Sequence, residues 1–144
     1  MSQLTGIGGM VWAMASTPRR LDFKKLIVWQ RARALTVDCF RCSMQFPRFE
    51  RQVLAHQICS AALSIAANIA EAEGRRGIRD QCRILRFSMG SARELESHLE
   101  IAADLGVLST TDRARLIATL DQTERLLAGL LKFKRNKAQP GEQL

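Results

Sequence analysis

Cys39 and Cys42 stand at the Cys-x-x-Cys spacing that lets two thiolates share a zinc ion or close a redox bridge. A tetrahedral zinc site needs two further ligands, and neither a second Cys-x-x-Cys nor a histidine pair supplies them. Cys59 and Cys82 are isolated, and all four cysteines fall within helical patterns, so they read as reduced thiols rather than as a secreted disulfide framework. Glu94 and His98 are four residues apart, whereas di-iron bundles use Glu-x-x-His pairs. No Walker loop, dinucleotide fingerprint or nucleophile elbow is present. The expectation is a chain that is not an enzyme and carries no metal or other cofactor.

A second constellation is polar. Ser60, Ser64 and Asn68 repeat every four residues, and Gln57 and Glu71 continue the same face, amid alanines and isoleucines. A buried polar group without a partner costs about 1–3 kcal/mol, so this stripe calls for polar groups opposite it. Ser88, Ser91 and Glu94, grouped around Gly90, offer them, with small residues allowing two helices to approach closely. Such a stripe is either an interhelical hydrogen-bond network that sets register or a binding or catalytic site. The network is the reading adopted, because satisfied buried networks commonly specify packing.

The third constellation is basic. The formal net charge is +8 and the isoelectric point about 10.2. Residues 19–51, 75–86 and 113–137 carry net charges of +6, +4 and +5, and residues 87–112 carry −4. Arg75 or Arg76, then Arg79, Arg83 and Arg86, recur at helical spacing as one ridge, and Lys132, Lys134, Arg135 and Lys137 cluster near the C-terminus. Guanidinium forks match phosphate oxygens, so nucleic acid is the first candidate partner and an anionic membrane surface the second. Two plainer roles stand beside this one. The ridge could face solvent or meet the acidic Glu94–Asp104 segment of a neighbouring subunit, and the C-terminal cations offset a helix dipole. Aromatic residues are few and scattered, which points to backbone-driven binding with little sequence preference.

These groups need helices to position them. Val28, Ala32, Leu35, Cys39 and Cys42 form one apolar stripe over about Lys24 to Met44, with Asp22 or a neighbour as a cap and Phe46-Pro47 as the break. Leu54, Ile58, Ala61, Ile65 and Ile69 mark a second helix from Phe49 to Glu73, which Gly74 and Gly77 are expected to stop in left-handed geometry. A third runs from Ile78 to Leu105 and ends at Gly106. Ser109 and Asp112 open a fourth as a variant capping box, with Leu116, Leu120, Leu127 and Leu130 carrying it to about Asn136. The expected fold is all-α, one antiparallel up-down-up-down four-helix bundle over residues 21–137. Residues 1–20 read as a flexible N-terminal tail and 138–144 as a C-terminal tail. The apolar run Ile7 to Ala15 is too short to span a bilayer and lacks a basic leader, so a cytoplasmic protein without membrane contact is expected.

Several runs are specific in combination. Phe23, Leu26, Trp29 and Ala32 open the first helix, and Phe46-Pro47, Glu50, Leu54 and Gln57 the second. Ser64-Ile65-Ala66-Ala67-Asn68-Ile69-Ala70-Glu71 follows, then Gly74-Arg75-Arg76, Gly90-Ser91 with Glu94-Leu95-Glu96, and Leu127 with Gly129-Leu130. Over about Leu21 to Asn136 the chain resembles the bacterial four-helix bundle proteins encoded in intervening sequences of large-subunit ribosomal RNA genes. It departs from their pattern at Ala66, where proline is usual, at Ala72-Glu73, which delay the glycine, and at Cys59-Ser60, where basic residues are common. The resemblance implies a ring-shaped homopentamer. It also implies a relationship to the accessory variability proteins of diversity-generating retroelements, basic pentamers that bind nucleic acid and a reverse transcriptase. No enzyme activity is implied.

Overall fold

The computed structural model describes residues 21–138. The expected tails, 1–20 and 138–144, lie outside these residues except for Ala138. Four helices make up the described chain, and no strand occurs among its residues.

A 3-10 turn, Phe23–Lys25, comes first, with Lys24 N donating to Asp22 Oδ1 at 3.1 Å. Asp22 therefore caps this short turn and not the first helix. Leu26 is extended (φ −72°, ψ 125°), so helix α1 begins after it and runs over Ile27–Ser43. The Phe23 ring packs edge-on against Trp29, with centroids 5.0 Å apart, and so fixes the entry of the chain. Helix α2, Arg48–Gly74, starts directly after Pro47, and its second turn, Arg51–Ala55, is wound as a π-helix, which hydrophobic spacing gave no reason to expect. Helix α3 spans Ile78–Asp104 and helix α4 Thr110–Lys137. Ser109 Oγ accepts from Asp112 N at 3.1 Å, the serine half of the anticipated box.

The helix ends correct one expectation. Gly106 is left-handed (φ +72°), and Val107 and Leu108 then donate back to Ala102 O. Gly74 and Gly77 are not left-handed. Helix α2 hands over to an extended Arg75 (φ −84°, ψ 145°), and Gly77 is itself extended as the cap of α3, so this turn is built from stretched backbone.

The expected apolar stripes meet in one core. Leu35, Ile58, Ile65, Ile69, Leu85, Leu95, Leu99, Leu116, Leu120 and Leu127 are fully buried, each stabilising by about 1.5–3 kcal/mol relative to exposure. Between them lie alanines with no exposed surface: Ala32, Ala62, Ala72, Ala92 and Ala102. With so little bulk in the seams, neighbouring backbones come close enough for short hydroxyls to bridge them. Thr36 Oγ1 on α1 donates to Ala62 O on α2 (3.0 Å), and Ser88 Oγ on α3 donates to Ile65 O (2.8 Å). Gly90 does not mediate this approach as anticipated, since it is exposed and an added Cβ would meet nothing within 4 Å.

Each helix packs chiefly on two others, α1 on α2 and α4, and α3 likewise on α2 and α4. Helices α2 and α4 therefore occupy opposite corners.

Candidate nucleic-acid interface

The ridge on α3 is smaller in charge than its sequence suggests. Arg75 pairs with Glu71 and lies 3.6 Å from Asp80. Arg83 forms a 2.7 Å pair with the same Asp80 and stacks over Phe87. Arg76, Arg79 and Arg86 are exposed and make no ion pair among the described residues. At the end of α4, Lys132 and Arg135 are likewise exposed and unpaired, and Lys137 Nζ sits 4.4 Å from the centre of the Phe133 ring.

Lys134 corrects the anticipated cluster. It is buried, with Nζ 2.8 Å from Glu73 Oε1 and 2.9 Å from Gln81 Oε1. Helical phase explains this, because Lys134 stands seven residues after Leu127 and fourteen after Leu120, on the core stripe. Its charge is spent inside the fold.

Several acids also have arginine partners inside the fold. Arg93 pairs with Glu96 at 2.8 Å and Arg113 with Glu100 at 2.5 Å, and Arg115 joins Asp38 at 2.8 Å and Asp112 at 2.7 Å. Hydrogen bonds to these carboxylates push the guanidinium groups of Arg93, Arg113 and Arg115 above their ordinary range. Within the acidic Glu94–Asp104 segment, Glu96 and Glu100 are thus neutralised internally. The net excess lies on side chains facing water.

Two cations that sequence reasoning did not single out belong to this excess. Arg31 on α1 and Arg125 on α4 line one cleft of about 330 Å³ at the α1–α4 seam, exposed and without an ion pair among the described residues. The available signal was the seven-residue interval from Arg125 to Lys132.

The polar stripe divides. Ser91 Oγ donates to Ser64 Oγ (2.9 Å) and Asn68 Nδ2 donates to the same oxygen (3.2 Å), joining α2 to α3. Gln57, Ser60, Glu71 and Glu94 are exposed. Glu71 bonds Arg75, and Glu94 lies 3.4 Å from His98. Ser88, anticipated as a partner for the stripe, instead bonds the backbone carbonyl of Ile65, and the core bond of Thr36 lies outside the anticipated network.

A larger cavity of about 590 Å³ opens between the end of α1 and the π-wound turn of α2, lined by Phe40, Met44, His56, Cys59 and Leu63 among others. Burial raises the Cys59 thiol, and on the core side burial pushes Cys39 up to about 12, so neither is poised as a thiolate. The cavity is mainly an apolar surface. Leu63 in its wall is exposed, as are Phe49 and Val53 on α2.

Among solved structures, a protein of unknown function from the S23 ribosomal protein family of Bacteroides thetaiotaomicron shares this fold. Its TM-score is 0.68 at 23% identity, over 74% of this chain and 99% of the other. No curated protein matches the chain. A family model, 23S rRNA-intervening sequence protein, matches residues 24–129. With most of the bundle covered by that match, the chain belongs to the 23S rRNA-intervening sequence protein family.

Proposed function

We propose that this protein is a non-catalytic, basic homo-oligomeric scaffold that binds the backbone of RNA or DNA with little sequence preference. The observation that carries this reading is the one-sided pairing of charge. Most acids of the described chain are held in internal ion pairs, while Arg76, Arg79, Arg86, Lys132 and Arg135 are exposed and make no ion pair among the described residues. An excess of exposed cations steers polyanions and releases counterions on binding. The family name adds a ribosomal RNA context.

Self-association is supported by α2. It is apolar enough in length and composition to cross a bilayer (mean hydropathy 1.5), yet its most apolar stretch is only 39% buried. Phe49, Val53 and Leu63 on α2 and Phe40 and Met44 on α1 form an exposed apolar face that a second copy would cover. Contacts such as Arg113 with Glu100 at one end and Lys134 with Gln81 at the other suit an antiparallel up-down-up-down arrangement. The family resemblance gives a ring of five as the expected assembly.

The test is light-scattering mass with and without a short RNA, at low and high salt. The expected result is an oligomer that gains RNA at low salt and loses it at high salt. Leu63→Glu, placed on the apolar face, is expected to yield a smaller, folded species. A wild-type monomer that leaves RNA free would overturn the reading.

A further inference from the structure

The geometry points to the outer face of α4 as the surface on which the nucleic-acid backbone lies, with a phosphate held at the α3–α4 cleft between Arg86 and Arg135. This rests on the nucleic-acid reading above and names the site within it.

Three observations converge there. First, Arg125, Ala128, Gly129, Lys132 and Arg135 are all exposed, and their spacing of three, four, seven and ten residues from Arg125 places them on one helical face. Its three cations make no ion pair among the described residues, and from Arg125 to Arg135 the row spans about 15 Å. Acidic neighbours, Asp121 and Glu124, bound the face only at its Arg125 end.

Second, Arg86 reaches the same region from α3. Together with Arg135 it lines a cleft of about 140 Å³ floored by Met89, Ala128 and Leu131. Two unpaired guanidiniums from different helices over an apolar floor suit one phosphate diester, since forks grip oxygens bidentately while apolar stems exclude water.

Third, Gly129 has no use within the fold. A glycine inside a helix is about 1 kcal/mol less favourable than alanine. Here an added Cβ would meet nothing within 4 Å, so no neighbouring helix requires its absence. With Ala128 it makes a low platform between Arg125 and Lys132, where a backbone can come close to both.

The position suits an assembly too. Helix α4 lies at the corner opposite α2, so the α4 face and the apolar face offered to another copy are separate surfaces of the bundle. An anionic membrane is the less favoured partner, because exposed Phe133 is the single large apolar residue at this end of α4 and Lys137 stacks on it.

The experiment compares two full-length triple variants of equal charge by anisotropy, on a labelled single-stranded RNA of about 30 nucleotides, between about 50 and 200 mM salt. Arg125→Gln/Lys132→Gln/Arg135→Gln removes the α4 face, and Arg76→Gln/Arg79→Gln/Arg83→Gln removes the α3 ridge. The α4 triple is expected to lose at least about tenfold in affinity and about 2–3 units of the log–log salt slope, and the ridge triple less than about threefold. Gly129→Leu, which keeps the charge and favours the helix, is expected to weaken binding severalfold without lowering thermal stability. Equal losses in the two triples, or an α4 triple that binds like wild type, would overturn the proposal while leaving nucleic-acid binding intact. Wild-type protein that ignores RNA and instead sediments with phosphatidylserine vesicles would overturn both.

Discussion

Lys134 and Glu73 form a closed ion pair between the last turns of α4 and α2, at 2.8 Å, with side chains only 11% and 4% exposed. Gln81 from α3 accepts a further hydrogen bond from the ammonium at 2.9 Å, so three helices meet at one charge. Removing one member leaves the other buried and uncompensated. Lys134→Met is therefore expected to destabilise by about 3–5 kcal/mol, and Lys134→Met/Glu73→Leu to recover most of that loss. Urea unfolding measures both. A single variant as stable as wild type would show that the pair contributes nothing.

The bridge from Thr36 is open to a cleaner deletion. Its hydroxyl donates to Ala32 O at 2.8 Å and to Ala62 O at 3.0 Å, across the α1–α2 seam. Thr36→Val keeps the shape, and both carbonyls belong to helices. The expected loss is about 1 kcal/mol, read as a lower urea midpoint at constant m-value.

Glu124 should give stability a pH dependence of defined sign. Burial raises its carboxyl above the ordinary glutamate range. Arg93 at 3.5 Å opposes that rise, and Glu96 and Asp121 reinforce it. The folded state thus holds this proton at a pH where the unfolded chain releases it. The associated stability is fully present below the ordinary glutamate value and is lost as pH rises through the elevated one. Glu124→Gln should melt above wild type near pH 7 and level with it at about pH 3, below the ordinary glutamate value, where both states are protonated. Equal melting temperatures at both pH values would show that burial does not burden the charge.

Glycines give a contrast within one chain. Gly106 is left-handed, and an added Cβ there touches nothing, so Gly106→Ala should cost about 1–2 kcal/mol from backbone strain alone. Gly74→Ala, in helical backbone with open space around it, should leave the thermal midpoint unchanged or raise it.

Periodicity carried the four helices and most of their core positions, because burial follows a 3.6-residue phase that sequence displays directly. Lys132 and Lys134 show where composition misleads. Two residues apart, they point about 200° from each other, one to water and one to Glu73, and only the phase of Leu120 and Leu127 separates them. The π-wound turn over Arg51–Ala55 has no such phase marker. Arg75 and Arg83 counted as free cations until the fold brought Asp80 beside both. The partners of Thr36 and Ser88 are backbone carbonyls, which side-chain patterns do not reveal.

The alanine seams imply an unusual direction of fragility. In a leucine-filled core, damage comes chiefly from truncation, which opens voids. Here Ala32, Ala62, Ala72, Ala92 and Ala102 have no surface left, and the bridges at Thr36 and Ser88 operate only while the backbones stay close. Enlarging Ala62 to Val or Leu would wedge α1 from α2 and separate Thr36 from its acceptor. At these positions the bundle tolerates little growth, and its admissible sequences are limited by bulk more than by loss of greasy surface.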